Sequence, residues 1–277
     1  MSGLKLEGIA PDRFRHRREL LANINIGLLG NHRPEVKAME SFADQAEDML
    51  TNPATLAAFD VDSEPDHVKK LYHPNEKDRT HRGNLYLLGR KLIESGVRYV
   101  TINTQWPGDG KLWPGGGNMN WDHHDAIYSP SHTNIPGGGA GAGRYGIGTW
   151  PMMPSTDWAW SGLITDMDQR GLLKECLVCF VTEFGRTPKI NERQGRDHWV
   201  HAFSYAFAGA GVPGGQIVGE TDPDGAYVTS STAYTVEDYA ASVFAKLGIN
   251  INEPIYTPED RPIFLAKGGR TIPELFC

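Results

Sequence analysis

The chain has 277 residues, 39% of them hydrophobic and 22% charged. That is enough apolar material to bury a sizeable core, in the proportions of a folded globular protein rather than a disordered one. A formal charge of −7 argues against broad phosphate-backbone binding, so nucleic acid is not expected as a partner. No stretch is long and apolar enough to span a membrane, and the opening MSGLKLEGIAPDRFRHRRELL lacks the apolar core of a secretory signal.

In chain order, residues 12–50 read as two helical segments. Leu20, Leu21, Ile24 and Leu28 share one face. From Pro34, Val36, Met39, Phe42, Ala43, Ala46, Met49 and Leu50 repeat the pattern, with the proline suited to a first helical turn. Pro53–Phe59 reads as a short helix and Asp60–Pro74 as a polar connection. These segments look like a helical cover. Thr80–Ser95 is a further helix, with Leu85, Leu88, Leu92 and Ile93 on its apolar face and Gly96 as its terminator. Val97–Asn103 follows as a strand of β-branched and aromatic residues.

The helix–glycine–strand unit recurs. Thr156–Arg170 carries Trp160, Leu163, Ile164 and Met167 at helical spacing; Gly171 follows, then an apolar strand over Leu177–Val181. Two such units predict an α/β protein with a doubly wound, mostly parallel sheet and helices on both faces. The expected organisation is a single domain over 1–277, with a helical segment at 1–78 and a sheet-bearing part at 79–277. A long glycine-rich loop at 105–153 interrupts the latter. Gly141–Gly146 spells G-x-G-x-x-G, but it follows no strand, so a dinucleotide site is not expected. Beyond the second unit, Phe203–Ala210 reads as a buried strand and Gln216–Gly219 as an edge strand. Asp222–Gly225 reads as a turn, and Thr235 as the cap of a last helix ending at Gly248. Cys176 and Cys179 flank the start of the Leu177 strand, without a second cysteine pair to complete a zinc or redox motif.

The chemistry-bearing residues gather after the two strands. Asp122 and His124 stand in Trp121-Asp-His-His-Asp125; Glu183, Arg186, Asp197 and His198 follow the Leu177 strand. Polar groups beyond the carboxyl end of a sheet strand occupy the usual ligand position of open α/β sheets. Carboxylates and imidazoles in this mixture are the ligands of zinc, manganese or iron, and carboxylates alone suit magnesium or calcium. Asp122, His124, Glu183, Asp197 and His198 could fill one site or parts of two, with Arg186 either binding an anion or pairing with Glu183. Asp125 and His123 read as supporting or solvent-facing, and His201 as surface or core.

The runs TEFGRTPKIN, GRDHW and GAGVPGGQIVGETDPDG resemble the bacterial family called domain of unknown function 1501. LLGRKLIESGVRYVTI, DMDQRGLL, YTVEDYAASVFAKLGI and RPIFLAKGGRTIPELF fit it too. That family is similar to the alkaline-phosphatase and sulfatase superfamily. The resemblance implies a metal-dependent hydrolase of phosphate or sulfate esters, with Asp122, His124, Glu183 and His198 as ligands. Asp197 would be ligand or orienting partner, and Arg186 would hold the anion. It implies a divalent cofactor, zinc foremost, and an anionic ester or a sulfated or phosphorylated carbohydrate as substrate. Full-length relatives begin with an export signal for the periplasm or cell envelope, then an opening strand and the nucleophile. Here those are expected to lie outside the chain, which resembles the C-terminal part of a relative. It would then be a fragment, one half of a split pair, or a stand-alone domain that has lost catalysis. The rival reading is a non-catalytic α/β scaffold that binds a partner or carbohydrate, Trp106, Trp113 and Trp121 being suited to stacking on sugar rings.

Overall fold

A computed structural model describes residues 8–29, 34–73, 81–104, 121, 123–124, 127, 152–229 and 233–276. Among them are seven α-helices: α1 (Pro11–Leu29), α2 (Pro34–Thr51), α3 (Pro53–Phe59), α4 (Asp66–Tyr72), α5 (His81–Glu94), α6 (Met153–Gln169) and α7 (Val236–Lys246). Six short strands accompany them: β1 (Val178–Phe180), β2 (Gly185–Arg186), β3 (His198–Trp199), β4 (Ala206–Ala208), β5 (Ile255–Tyr256) and β6 (Pro262–Ile263). The chain divides into two compact units, one of residues 1–69 and 84–102, the other of 70–83 and 103–277.

In the first unit α1 and α2 are linked through charged side chains. Arg18 of α1 pairs with Asp44 and with Glu47 of α2, the latter at 3.3 Å. Asn52 then caps α3, its Oδ1 accepting from the Ala54 amide at 2.9 Å, with Pro53 in the first turn. An ion network gives this unit a polar centre. Glu64 Oε1 meets Arg90 Nη1 at 3.1 Å and Lys91 Nζ at 3.0 Å, while Glu94 holds Arg90 at 2.6 Å. Burial alone would raise the Glu64 carboxyl, but the hydrogen bonds and charges of Arg90 and Lys91 outweigh it and bring it down from 4.5 to about 2. Helix α5 ends as expected at Gly96, whose φ of +96° admits the amide bonds Gly96 to Ile93 and Val97 to Leu92.

Helix α5 departs from its expected face. Leu87 and Tyr86 are fully buried, as are Arg82 and Arg90, whereas Leu85, Leu88, Leu92 and Ile93 are only half-buried. Apolar counting overlooks a helix whose buried stripe includes arginines with internal partners. Helix α4 arises within the stretch read as a connection, where Asp66, His67, Lys69 and Lys70 give the run its polar character.

In the second unit α6 is the packing centre, with Ala159, Leu163 and Met167 buried beside Met152. Gly162 permits the approach of the Leu71 carbonyl, which a Cβ there would meet at 2.1 Å. Tyr72 donates to Asp166 at 2.8 Å, and Asp166 also pairs with Arg170 at 2.7 Å. After α6, Gly171 turns with φ +74° and the chain enters β1. This strand pairs antiparallel with β4, in the register Val178↔Ala208, Cys179↔Phe207 and Phe180↔Ala206. Burial pushes the Cys179 thiol up to about 11, in keeping with a packing role for this cysteine.

The described neighbour of the Leu177 strand is thus antiparallel, and an apolar run reports burial and not the direction of its neighbour. The other ladders, β2 with β3 and β5 with β6, are antiparallel too. Among the described residues there is no parallel pair, and neither Val97–Asn103 nor Gln216–Gly219 forms a strand. Tyr99 is 68% exposed and Ile217 96% exposed, while Val100 and Ile102 are half-buried beside Gly89.

The expected cap of the last helix is present. Thr235 and Asp238 exchange bonds as a capping box at 2.9 and 3.2 Å. The chain's end docks on the same helix, where the Arg270 amide donates to Asp238 at 2.8 Å and the Ile272 amide to Ser242 at 2.9 Å. No helix among the described residues is long and apolar enough to cross a membrane.

Candidate functional site

The site is built on the β2–β3 ladder. Gly185 lies opposite Trp199 and Arg186 opposite His198. Directly opposed residues share a face of a ladder, so Arg186 and His198 project together while Trp199 takes the other side. Gly185 is required there, because a Cβ would stand 2.1 Å from the Ala202 carbonyl.

Residues 187–197 return the chain in a compact loop organised by Asn191. Its Oδ1 accepts from the amides of Arg193 and Gly195, each at 3.0 Å. Its Nδ2 donates to Asp197 Oδ1 at 3.0 Å and to the His124 carbonyl at 2.9 Å. All four hydrogen-bonding positions of the amide are used. The Arg196 amide donates to the His123 carbonyl at 2.6 Å. Two tethers therefore hold the His123–His124 segment to this loop.

The tethers bring His124 to His198, their ring centres 4.5 Å apart and tilted by 53°. Phe184 lies 4.0 Å from the His198 ring centre, and the Arg186 guanidinium stands 5.8 Å above the Phe184 ring, within cation–π range. Arg186 Nη1 is 3.4 Å from His124 Nε2, 3.5 Å from Nδ1 and 3.2 Å from the Arg196 carbonyl, while Nη2 is 3.5 Å from the Trp121 carbonyl. A guanidinium only donates, so its bond to the imidazole requires a ring nitrogen with a free lone pair.

Of the expected site residues, the structure brings His124, Arg186 and His198 together, with Asp197 beside them through Asn191. Asp197 and Glu183 are exposed. The charge of Glu183, after burial, raises the Tyr205 hydroxyl, which places Glu183 near that tyrosine. Asp122 lies outside the described residues, as do Asp125, Trp106, Trp113 and the Gly141–Gly146 stretch. Among the described residues, no three His, Cys, Asp or Glu side chains come close enough to hold a metal ion. Two imidazoles bound to one ion at ~2.0–2.1 Å stand with ring centres roughly 5 Å apart. The spacing of His124 and His198 fits that pair, and the remaining ligand would have to come from Asp122, Asp197 or Glu183.

Two contributors were not singled out from the sequence. Asn191 was the polar residue midway between Arg186 and Asp197, and its position was the one available signal. Arg82 had none. Only 2% exposed, it donates to the Thr104 carbonyl at 2.9 and 3.1 Å, to the Met152 carbonyl at 3.1 Å and to Ser155 at 2.6 Å. Its guanidinium also lies 5.4 Å from the Trp121 ring, and Trp121 shares the Thr104 carbonyl at 3.3 Å. Arg82 thus joins the two ends of segment 105–151 and touches the residue that opens the Asp-His-His stretch.

On the opposite face of the ladder, Trp199, His201 and Tyr227 form an aromatic trio with ring centres 4.8 to 5.6 Å apart.

The family model described as "Protein of unknown function (DUF1501)" matches residues 4–276. No curated protein and no solved structure matches the chain.

Proposed function

The chain belongs to the DUF1501 family of proteins of unknown function, and from that premise we propose a metal-dependent, hydrolase-like protein acting on a phosphate or sulfate ester. The proposal includes kinship with alkaline phosphatases and sulfatases and their doubly wound α/β arrangement. The observation that carries it is the meeting of His124 and His198, ring centres 4.5 Å apart, with the Arg186 guanidinium beside them.

A divalent ion, zinc foremost, would supply Lewis acidity and an activated water. The chain's own residues do the rest. His124 and His198 offer imidazole nitrogens, and Asp197, Glu183 and Asp122 offer carboxylates to complete the ligand set or to take a proton. Arg186 offers a planar fork to the non-reacting oxygens of the ester. Phe184 forms an apolar floor that limits the water around the guanidinium and the His198 ring.

The test is elemental analysis by plasma mass spectrometry of the purified chain beside His124→Ala and His198→Ala, with circular dichroism to establish that each is folded. Near-stoichiometric zinc, manganese or iron in the parent, lost in both variants, is the expected result and would justify an ester screen. A folded parent that takes up no ion from dialysis against each metal would overturn the proposal. The second reading, a non-catalytic carbohydrate- or partner-binding module, is favoured by the half-exposed Trp199–His201–Tyr227 trio. It predicts binding that survives His198→Ala.

A further inference from the structure

Asn191 is locked within its own loop before it reaches the site. Its amide donates to the Gly195 carbonyl at 2.9 Å, and its carbonyl accepts from the Gln194 amide at 3.0 Å. Its Oδ1 takes the amides of Arg193 and Gly195, each at 3.0 Å. Further bonds close the loop around it. The Thr187 amide donates to the Asp197 carbonyl at 3.0 Å, the Asp197 amide to the Thr187 hydroxyl at 3.1 Å, and Arg196 Nη1 to the Thr187 carbonyl at 2.7 Å. With Oδ1 committed to two amides the side chain has one orientation, and Nδ2 faces outward with both its hydrogens.

Those two hydrogens go to two candidate site residues. One binds Asp197 Oδ1 at 3.0 Å, the other the carbonyl of His124, 67 positions earlier in the chain, at 2.9 Å. The two bonds are not equivalent. Asp197 is exposed, so water competes for its carboxylate, whereas the bond to His124 is partly buried. The Asn191 bond is also shorter than the contacts of Arg186 with the His124 ring, which at 3.4 and 3.5 Å lie at the long edge of hydrogen bonding. The Arg196 amide holds the preceding carbonyl, that of His123, at 2.6 Å. One tether fixes where the segment lies. The second, one peptide further on, fixes how it is turned, and with it the His124 ring, 4.5 Å from the His198 ring centre.

We propose that Asn191 is the positioning residue of the site: through the His124 carbonyl it sets the His124 ring against His198, and an ion shared by the two rings depends on it. The placement of the ring stands by itself, while the consequence for an ion rests on the metal-dependent function proposed above. Asn191 acts through the histidine and offers no group of its own to the ion or the ester, since all four positions of its amide are taken.

The chemistry of its two outward bonds separates a role in the site from a role in the loop. The swap Asn191→Asp/Asp197→Asn exchanges donor and acceptor between the two side chains. It keeps an acceptor for the Arg193 and Gly195 amides and one bond between positions 191 and 197. Only the bond to His124 is lost, a carboxylate oxygen now facing a carbonyl. Asp197→Asn alone keeps both bonds, its amide oxygen still accepting, and controls for the missing carboxylate. Asn191→Ala removes every side-chain bond together.

The test reads the NMR cross-peak between the ring protons of His124 and His198 in the full chain, zinc affinity by competition with a chromogenic chelator, and the urea midpoint. The cross-peak should be strong in the parent and in Asp197→Asn, and weak in the swap and in Asn191→Ala. Zinc affinity of the swap should fall at least tenfold below that of Asp197→Asn. The urea midpoint should stay near the parent's in the swap and drop in Asn191→Ala. A swap that keeps the parent's cross-peak, or that matches Asp197→Asn in zinc affinity, overturns the proposal, Asn191 then serving its loop alone. An Asn191→Ala chain with the parent's cross-peak overturns it too, as does a parent without one. If either variant fails to fold, the other decides. A parent that pairs its rings but takes up no ion overturns the metal-dependent function instead, and the cross-peak by itself then decides for or against Asn191.

Discussion

Arg186 places a guanidinium nitrogen 3.4 Å from Nε2 and 3.5 Å from Nδ1 of His124, a residue 62 positions earlier in the chain. The same nitrogen donates to the Arg196 carbonyl at 3.2 Å. The arginine thus serves as a strut for the His124 segment and a charge beside its ring. These roles separate on mutation.

Arg186→Ala is expected to leave metal uptake equal to or above that of the parent, because a cation beside the imidazole lone pair has been removed. Asn191 and the Arg196 amide still hold the segment. Sulfate or phosphate binding should weaken about 10- to 100-fold, the worth of one or two charge-assisted hydrogen bonds. Thermal shift against increasing sulfate, beside metal analysis of the same sample, reads both. Loss of metal with retained anion binding would reverse the roles assigned to Arg186 and the histidines.

The helices were largely legible in the sequence because their signals are local. Pro34, Asn52–Pro53, Gly96, Gly171 and Thr235–Asp238 stand at helix ends, where a missing amide, a positive φ or a capping oxygen is needed. Strand direction was not legible. Val178–Phe180 would be as apolar beside a parallel neighbour as it is beside Ala206–Ala208. In the site, Arg186, Asp197 and His198 announced themselves by residue type. Asn191 and Arg82 did not, because their work is to hold carbonyls contributed by distant segments, and carbonyls carry no sequence signature.

Arg82 gives the clearest stability test. Its fork meets the Thr104 carbonyl on one side and the Met152 carbonyl and Ser155 hydroxyl on the other. Lysine keeps the charge but has one ammonium on a flexible stem and cannot span both sides. Arg82→Lys should lower stability by about 2 to 3 kcal/mol, the worth of one or two lost hydrogen bonds to a buried charge, read as a reduced urea midpoint with unchanged slope. A midpoint equal to the parent's would mean that Arg82 does not hold Thr104 to Met152 and Ser155.

The Glu64 network makes stability depend on acid in a defined window. The folded-state carboxyl is held at about 2 against 4.5, so the folded chain binds fewer protons than the unfolded chain between those values. Stability from this group is therefore complete above pH 4.5 and lost as pH falls toward 2. Glu64→Gln keeps the shape and removes the charge, leaving buried Arg90 with Glu94 as a carboxylate partner. Its cost should be about 2 kcal/mol at neutral pH, below the full penalty for an unpaired buried charge because Glu94 remains. Urea unfolding of parent and variant at intervals from pH 7 to pH 2.5 should show a constant difference above pH 4.5 that narrows steadily below it. A difference that stayed constant through the acid range would show that the carboxylate contributes nothing through its charge, and that Arg90 is held by Glu94 alone.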